Sequence, residues 1–203
     1  MHNISLILTS TKNPSDCARV LSELNVVAHM DDEIINVGHT ISDFPDDYKS
    51  YPYVDQWLVN PVRGCARSVH YAAERATKPW FGWFCDDHIF PDKDWLVKAR
   101  LHINQGFKLI AFDDDHIESA GNWAAIGIAE VEWFLKYFPK PIFRHYGWDN
   151  AIFDLAMQQG LGCYADEVKI IDPKIRIKRK HPWKKKDLRM YHEWCKPRGI
   201  TPS

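Results

Sequence analysis

Short apolar runs alternate along the chain with segments of helical periodicity. The apolar runs predict strands at residues 4–10, 33–38, 80–85, 107–112, 123–129 and 168–171. Apolar positions that repeat every three to four residues, with capping residues at the ends, predict helices at 15–24, 62–76, 94–105 and 148–159. This alternation is typical of an α/β sandwich that has a mostly parallel central sheet and helices on both faces.

The third predicted strand ends in a cluster of polar side chains. Trp80–Cys85 is apolar and aromatic, as in a buried strand, and Asp86, Asp87 and His88 follow it directly. Ligands of α/β proteins bind at the carboxyl ends of the strands. Carboxylate oxygens and an imidazole nitrogen suit a divalent cation such as Mn²⁺ or Mg²⁺. The cluster therefore predicts a metal site, with a polar turn after a core strand as the alternative.

The composition is that of a globular protein. The 203 residues are 45% apolar and 26% charged, so residues 1–203 are expected to form one domain with its own core. The five cysteines include no Cys-x-x-Cys pair, which argues against a disulfide framework or a cysteine-based zinc site and favours a cytoplasmic location. The N-terminus lacks a signal-peptide pattern, and no apolar run is long enough to span a membrane.

Charge is distributed unevenly along the chain. Residues 174–198 contain eleven Lys and Arg and only two acidic residues, whereas the rest of the chain contains 15 basic and 25 acidic residues. The basic C-terminal segment, residues 174–203, indicates a polyanionic partner or a diphosphate ligand. A solvated tail without a partner is the alternative.

Several segments together carry a resemblance to a known family. They are Thr9–Thr11, Asn60–Arg67, Asp86–His88 with Pro91 and Trp95 behind it, Tyr146–Asn150 and His181–Trp183. The third segment is similar to a DXD motif, and the fourth to a loop that places an acid at the start of the acceptor-side helix. In this order the segments resemble the glycosyltransferases of the GT-A fold, in particular small family 2-like members of the kind encoded by phages. The resemblance covers most of the chain and implies a Rossmann-like GT-A sandwich.

The resemblance implies a metal-dependent transferase whose donor is a nucleotide sugar, with a UDP-sugar expected. Asp86, His88 and His181 would bind Mn²⁺ or Mg²⁺, although His88 stands where the family has Asp. Such a cation would neutralise the diphosphate leaving group. Asp87 is either an alternative ligand or the partner of a ribose hydroxyl. The other implied donor contacts are Thr9, Thr11, Asp43, Arg67, Lys184 and Lys186.

The acceptor side of the predicted site centres on Asp149. An inverting transfer needs a general base on the acceptor hydroxyl, and Asp149 is the candidate because it starts a predicted helix; a helix cap is the alternative. The acceptor is a hydroxyl, for which a hydroxymethylated base in phage DNA is one hypothesis and a saccharide or a protein is compatible. Trp123 and Trp148 line the groove or pack in the core. The three carboxylates of Asp113–Asp115, at the end of a predicted strand, suggest a second metal site, with a solvated strand end as the alternative.

Two other classes of function compete with the transferase. Ala28–Glu33 resembles the zinc motif of PIG-L-like deacetylases, in which His29, Asp31 and Asp32 would bind zinc and activate water. A non-enzymatic alternative is a nucleic-acid-binding module, in which the basic segment contacts phosphates and its tryptophans stack on bases.

Overall fold

A seven-stranded sheet forms the centre of the protein. The computed structural model describes residues 2–11, 13–115, 124–138, 140–144, 147–173 and 184–202. The strands are β1 (Ile4–Thr9), β2 (Glu33–Gly38), β3 (Gln56–Val59), β4 (Trp80–Cys85), β5 (Leu109–Asp113), β6 (Gly127–Glu130) and β7 (Gly162–Lys169). Their order in the sheet is β3-β2-β1-β4-β6-β5-β7. Only β6 among these strands runs antiparallel to its neighbours.

Helices cover both faces of this sheet, as the sequence predicts. They are α1 (Pro14–Val27), α2 (Cys65–Ala73), α3 (Trp95–Asn104), α4 (Val131–Tyr137), α5 (Trp148–Gln158) and α6 (Lys184–Cys195). Short 3-10 helices lie at Ile41–Asp43, Tyr48–Ser50 and Lys196–Arg198. In α1, Pro14 occupies the first turn, where its missing N–H has no partner to lose, and the buried face follows the helical period.

Two apolar cores result from the alternation of side chains along the strands. Leu6 and Leu8 of β1 point to the face that α1 and α3 cover, whereas Ile7 points to the face covered by α2, α4, α5 and α6. Trp95 at the start of α3 is fully buried in the first core. Aromatic rings pack in both cores, so close-packed side chains cover each face of the sheet.

The carboxyl ends of the parallel strands lie side by side. Thr9 at the end of β1 pairs with Val37 of β2 and with Cys85 of β4. The segments that follow these three strands therefore meet at one edge of the sheet. Because β6 is antiparallel to both β4 and β5, the end of β5 lies at the same edge. We call it the carboxyl edge.

The structure differs most from the sequence prediction in three strands, while the bounds of β1 and β5 differ by one or two residues. β3 has no counterpart among the predicted strands, because it is a four-residue strand at the edge of the sheet and is only partly buried. β6 is shorter than the predicted strand 123–129, of which residue 123 lies outside the described residues. β7 begins six residues before its prediction, because Gly162–Lys169 contains no apolar run. Among the described residues, no helix is long and apolar enough to cross a membrane.

Candidate active site

Asp86 ties together the loops that follow β1 and β4. Its carboxylate accepts the backbone N–H of Thr11 at 2.7 Å and the Thr11 hydroxyl at 3.2 Å, and the residue is 1% exposed. The Thr9 hydroxyl donates to the carbonyl of Phe84 at 3.1 Å and to the Cys85 sulfur at 3.4 Å. The predicted donor contacts Thr9 and Thr11 therefore both bond to the β4 side of the carboxyl edge.

The structure groups His88 with Asp87 and Cys85. Potential ligand atoms of these three residues lie within 4.8 Å of one another, and within the described part of the chain they form the only such group of three donors. The backbone N–H of Cys85 donates to Nδ1 of His88 at 3.2 Å, which places the ring proton of the neutral form on Nε2. The carboxylate of Asp86, in contrast, is directed at Thr11. The geometry favours Asp87 as the carboxylate partner of His88.

The surroundings of this group indicate which donors a cation would find. The side-chain hydrogen bond with Cys65 and burial hold the pKa of the Cys85 thiol well above its ordinary value, so it stays protonated at neutral pH. Burial lowers the pKa of His88, but the Cys85 side chain and the charges of Asp172 and Asp87 outweigh burial and raise it overall. The Asp87 carboxylate is a donor that fits Mn²⁺ or Mg²⁺. In this conformation both nitrogens of neutral His88 are occupied, Nδ1 by the Cys85 N–H and Nε2 by the ring proton, so His88 would bind a cation only once its ring leaves that N–H.

Asp43 offers a buried acceptor beside the end of β2. One carboxylate oxygen accepts the backbone N–H groups of His39 at 2.7 Å and Thr40 at 3.0 Å. The other oxygen, Oδ1, is buried and has no hydrogen-bond partner within the described residues. An unsatisfied buried acceptor costs about 1–3 kcal/mol. Such an oxygen is suited to an N–H group that a ligand brings.

The start of α2 supplies a cation to the same edge. Gly64 precedes the helix with a φ of 135°, and a Cβ atom there would lie 2.1 Å from the carbonyl oxygen of Arg144. Only glycine therefore fits between α2 and the segment around Arg144. Arg67 in the first turn is half-buried, and within the described residues it has no ion pair or hydrogen bond. Its guanidinium is available for an anionic ligand.

Asp149 lies in the first turn of α5. The N-cap of this helix is Gly147, with a φ of 77°, so Asp149 does not occupy the cap position. Its Oδ1 is buried and has no partner within the described residues. Burial raises the pKa of Asp149 to about 6, against hydrogen bonds from backbone N–H groups and with a further contribution from the charge of Asp114. A carboxyl group with this pKa is an effective proton acceptor near neutral pH.

Asp114 is a neighbour of Asp149 that the sequence alone does not indicate as one. It follows β5, 35 positions before Asp149, and only the topology brings the two together. Asp113 accepts the N–H of Asp115 at 2.9 Å, and Asp115 forms an ion pair with Lys169 at 2.5 Å. Within the described residues these carboxylates do not form a group of three cation donors, so the second metal site has no support there.

Other predicted residues fall in different places. Lys184 and Lys186 are exposed in the first turn of α6. Trp148 is buried and packs against Trp83 with ring centroids 5.3 Å apart, so its role is packing. His181 and Trp123 lie outside the described residues, and the prediction that His181 is a metal ligand stays a prediction.

The zinc motif of the deacetylase hypothesis lies at the opposite, amino edge of the sheet. The Asp32 carboxylate forms an ion pair with Arg100 and accepts the N–H groups of Ile4 at 2.9 Å and His29 at 2.8 Å. His29 and Asp31 are exposed and 3.7 Å apart. Asp32 therefore anchors the start of β1, and the geometry supports a structural role for the motif.

Solved glycosyltransferase structures are similar to this chain over nearly its whole length. A mannosyltransferase from Pyrobaculum calidifontis, in complex with GDP-Man and Mn²⁺, matches with a TM-score of 0.68 and 13% identity over 97% of this chain and 61% of its own. Glucosyl-3-phosphoglycerate synthase from Mycobacterium tuberculosis, in complex with Mn²⁺ and UDP-Glc, matches with a TM-score of 0.71 and 11% identity over 100% of this chain and 81% of its own.

TarS from S. aureus matches with a TM-score of 0.63 and 10% identity over 83% of this chain and 36% of its own. This chain thus spans less than two thirds of the mannosyltransferase and of TarS. No family model matches the sequence, and no curated protein matches it. The strand order and these structural similarities show that the chain has the fold of the GT-A glycosyltransferases.

Proposed function

We propose that the protein is a metal-dependent glycosyltransferase that moves a sugar from a nucleotide-sugar donor to a hydroxyl acceptor. The observation that carries the proposal is the grouping of Asp87 and His88 at the carboxyl edge of a GT-A sheet. Mn²⁺ or Mg²⁺ would be held by Asp87 and His88, with Asp86 and His181 as the further ligands that the sequence predicts, and would supply positive charge to the diphosphate leaving group. The similar structures that contain Mn²⁺ with UDP-Glc or GDP-Man support this assignment.

The donor lies across the carboxyl edge. Asp43 Oδ1 accepts an N–H of the base, which uracil and guanine both offer. A UDP-sugar is the expected donor because the sequence resemblance implies one, and the similar structure with Mn²⁺ and UDP-Glc supports it. Arg67 contacts the diphosphate with its planar fork, and Lys184 and Lys186 contact it as point charges. Thr9 and Thr11 hold the loop that receives the donor in place through their hydrogen bonds. The sequence predicts that both residues also contact the donor directly.

Asp149 is the general base of an inverting transfer in this proposal. It accepts the proton of the acceptor hydroxyl as the hydroxyl oxygen forms a bond to the anomeric carbon of the donor sugar. The bond from that carbon to the diphosphate oxygen breaks on the opposite face, and the nucleoside diphosphate leaves. The raised pKa of Asp149 and its buried oxygen without a partner within the described residues support the role of general base.

The proposed acceptor is a polyanion that carries a hydroxyl, with a hydroxymethylated base in DNA as the specific hypothesis. The basic C-terminal segment carries eleven Lys and Arg between residues 174 and 198, and such a segment contacts phosphates. This acceptor would also suit the phage enzymes that the sequence resembles. A saccharide or protein acceptor would use the same base and the same donor site.

A thermal-shift screen tests the donor assignment. UDP, GDP, UDP-glucose and GDP-mannose are each added with and without Mn²⁺, and melting temperature is measured. A ligand that binds only the folded state at 100 times its Kd stabilises by about 2.7 kcal/mol, so one nucleotide should raise the melting temperature only when Mn²⁺ is present. Asp87→Asn should abolish that shift, whereas Asp31→Asn on the exposed amino edge should keep it. No shift with any nucleotide would contradict the proposal.

A further inference from the structure

Helix α6 lies directly against the start of α5, the helix that carries Asp149. A Cβ atom at Gly147 would lie 3.0 Å from the Cβ of Tyr191 and 3.5 Å from the carbonyl oxygen of Asp187. The backbone at the N-cap of α5 therefore rests on α6 without an intervening side chain. Tyr191 is 1% exposed at this contact.

Tyr191 reaches α5 a second time through its hydroxyl. The hydroxyl donates a hydrogen bond to the carboxylate of Asp154, in the second turn of α5. Asp149 lies between the two contacts, since Gly147 precedes it and Asp154 follows it. A hydrogen bond to a charged acceptor in a partly buried place is among the stronger ones.

We propose that Tyr191 is a positioning residue that holds Asp149 at its catalytic place, an inference that rests on the proposed function of Asp149 as general base. Two contacts on either side of Asp149 fix both the position of α5 along its axis and its rotation. The Cβ of Tyr191 and the adjoining ring carbon supply the first contact, and the hydroxyl supplies the second. Tyr191 itself touches neither donor nor acceptor in this assignment.

The positioning has a physical consequence for catalysis. A general base acts within hydrogen-bond reach of the proton that it accepts, and a displacement of about 1 Å can lower the rate on the order of 10²-fold. The free oxygen of Asp149 has no partner within the described residues to orient it, so its direction depends on how α5 is held. Loss of the Tyr191 hydroxyl should therefore lower turnover and leave donor binding unchanged.

The test measures release of UDP from UDP-glucose, or of GDP from GDP-mannose, with Mn²⁺ and with water as acceptor. Tyr191→Phe keeps the ring against Gly147 and removes only the hydroxyl. We expect kcat to fall about 10–100-fold with an unchanged KM for the donor. Asp154→Ala removes the acceptor of the same hydrogen bond and should lower kcat by a similar factor, and the double variant should lose no more, since both changes remove one interaction.

Tyr137→Phe is the matched control. Tyr137 ends α4, and its hydroxyl has no hydrogen bond within the described residues, so kcat should not change. A wild-type kcat in Tyr191→Phe with only a lower melting temperature would overturn the positioning role. If Tyr191→Phe does not fold, the half-buried Asp154→Ala decides in the same way. Asp149→Asn distinguishes failure of the proposed base from failure of the positioning role. Full turnover in Asp149→Asn would overturn the role of Asp149 as base. Loss of turnover in Asp149→Asn together with full turnover in Tyr191→Phe would overturn only the positioning role of Tyr191.

Discussion

At the scale of single residues, the environment of a carboxylate decides what it can do. Asp32, Asp86 and Asp149 are all at least partly buried, but the oxygens of Asp32 and Asp86 receive N–H and O–H groups from neighbouring segments. These two carboxylates fix local structure. Asp149 retains a buried oxygen without a partner within the described residues, and this difference makes it the candidate for proton transfer.

Replacement of Asp149 tests this difference directly. Asp149→Asn preserves the size of the side chain and removes the proton acceptor. Turnover should fall about 10²–10⁴-fold, the usual contribution of general-base catalysis, while the Mn²⁺-dependent thermal shift by nucleotide stays normal. Steady-state release of nucleotide measures the first quantity and thermal shift the second. Retained turnover, or retention of the anomeric configuration in the product, would contradict the role.

The raised pKa of Asp149 also predicts a pH dependence of activity and stability. Turnover should rise with pH through about 6 as the base loses its proton. The pKa of Asp149 is about 6 in the folded protein and 3.8 in the unfolded chain, so the folded protein holds the proton more tightly. Ionisation of this carboxyl therefore lowers the free energy of unfolding as pH rises from 4 to 6, by up to about 3 kcal/mol. Asp149→Asn should therefore raise the melting temperature at pH 7 and not at pH 3.5. An equal effect at both pH values would contradict the shift.

Asp86 and Asp87 should respond differently to the same substitution. Asp86→Asn weakens the bonds to Thr11 and should lower stability by roughly 1–3 kcal/mol, because a buried polar group loses its partners. Asp87→Asn should leave the melting temperature of the ligand-free protein nearly unchanged and abolish Mn²⁺-dependent nucleotide binding. Denaturant unfolding and titration with UDP and Mn²⁺ measure the two effects. Reversed results would mean that Asp86, rather than Asp87, is the main carboxylate ligand of the cation.

At the scale of helices and strands, the pattern of apolar residues predicts the elements that are fully buried and misses those that are only partly buried. β1 and β4 are mostly apolar, so the sequence predicts both, β4 with its observed bounds and β1 one residue too long. β7 carries Asp166 and Glu167 among its exposed positions, and pattern finds only its last residues. For the same reason the sequence predicts the polar cluster after β4 but not the closeness of Asp114 and Asp149, which depends on how distant elements pack.

Two glycines provide a test of how the elements are joined. Gly64 has a φ of 135° and its Cβ would lie 2.1 Å from the Arg144 carbonyl, whereas Gly160 has a φ of 65° and no neighbour within 4 Å of such a Cβ. Gly160→Ala should cost only about 1–2 kcal/mol for the left-handed backbone. Gly64→Ala adds a clash with backbone that cannot move away, and it should destabilise the protein clearly more. Denaturant unfolding of both variants measures the difference, and equal losses would contradict the close packing at α2.

At the scale of the whole molecule, the two edges of the sheet have different tasks. The amino edge holds the buried ion pair of Asp32 with Arg100 and supports the fold. Asp43, Asp87 and His88 lie at the carboxyl edge. The buried oxygen of Asp43 without a partner within the described residues and the grouping of Asp87 with His88 support ligand binding there. This division is expected of an α/β sheet, in which ligands bind where the strands end.

The distribution of charge over the molecule leads to a prediction about the acceptor. If DNA is the acceptor, the basic segment 174–203 releases counterions when it meets phosphates, so affinity should fall steeply as salt rises, with a logarithmic slope of about −0.9 for each phosphate contacted on duplex DNA. Changing Lys184, Lys185 and Lys186 together to Glu should weaken binding and flatten that slope.

The matched control changes three lysines outside the segment, Lys49, Lys93 and Lys136, and should alter the slope much less. Fluorescence anisotropy with a labelled duplex at several salt concentrations measures both. Absence of DNA affinity even at low salt would exclude the DNA acceptor and leave a saccharide or a protein, while equal effects of the two triple variants would show that overall charge, rather than the basic segment, drives binding.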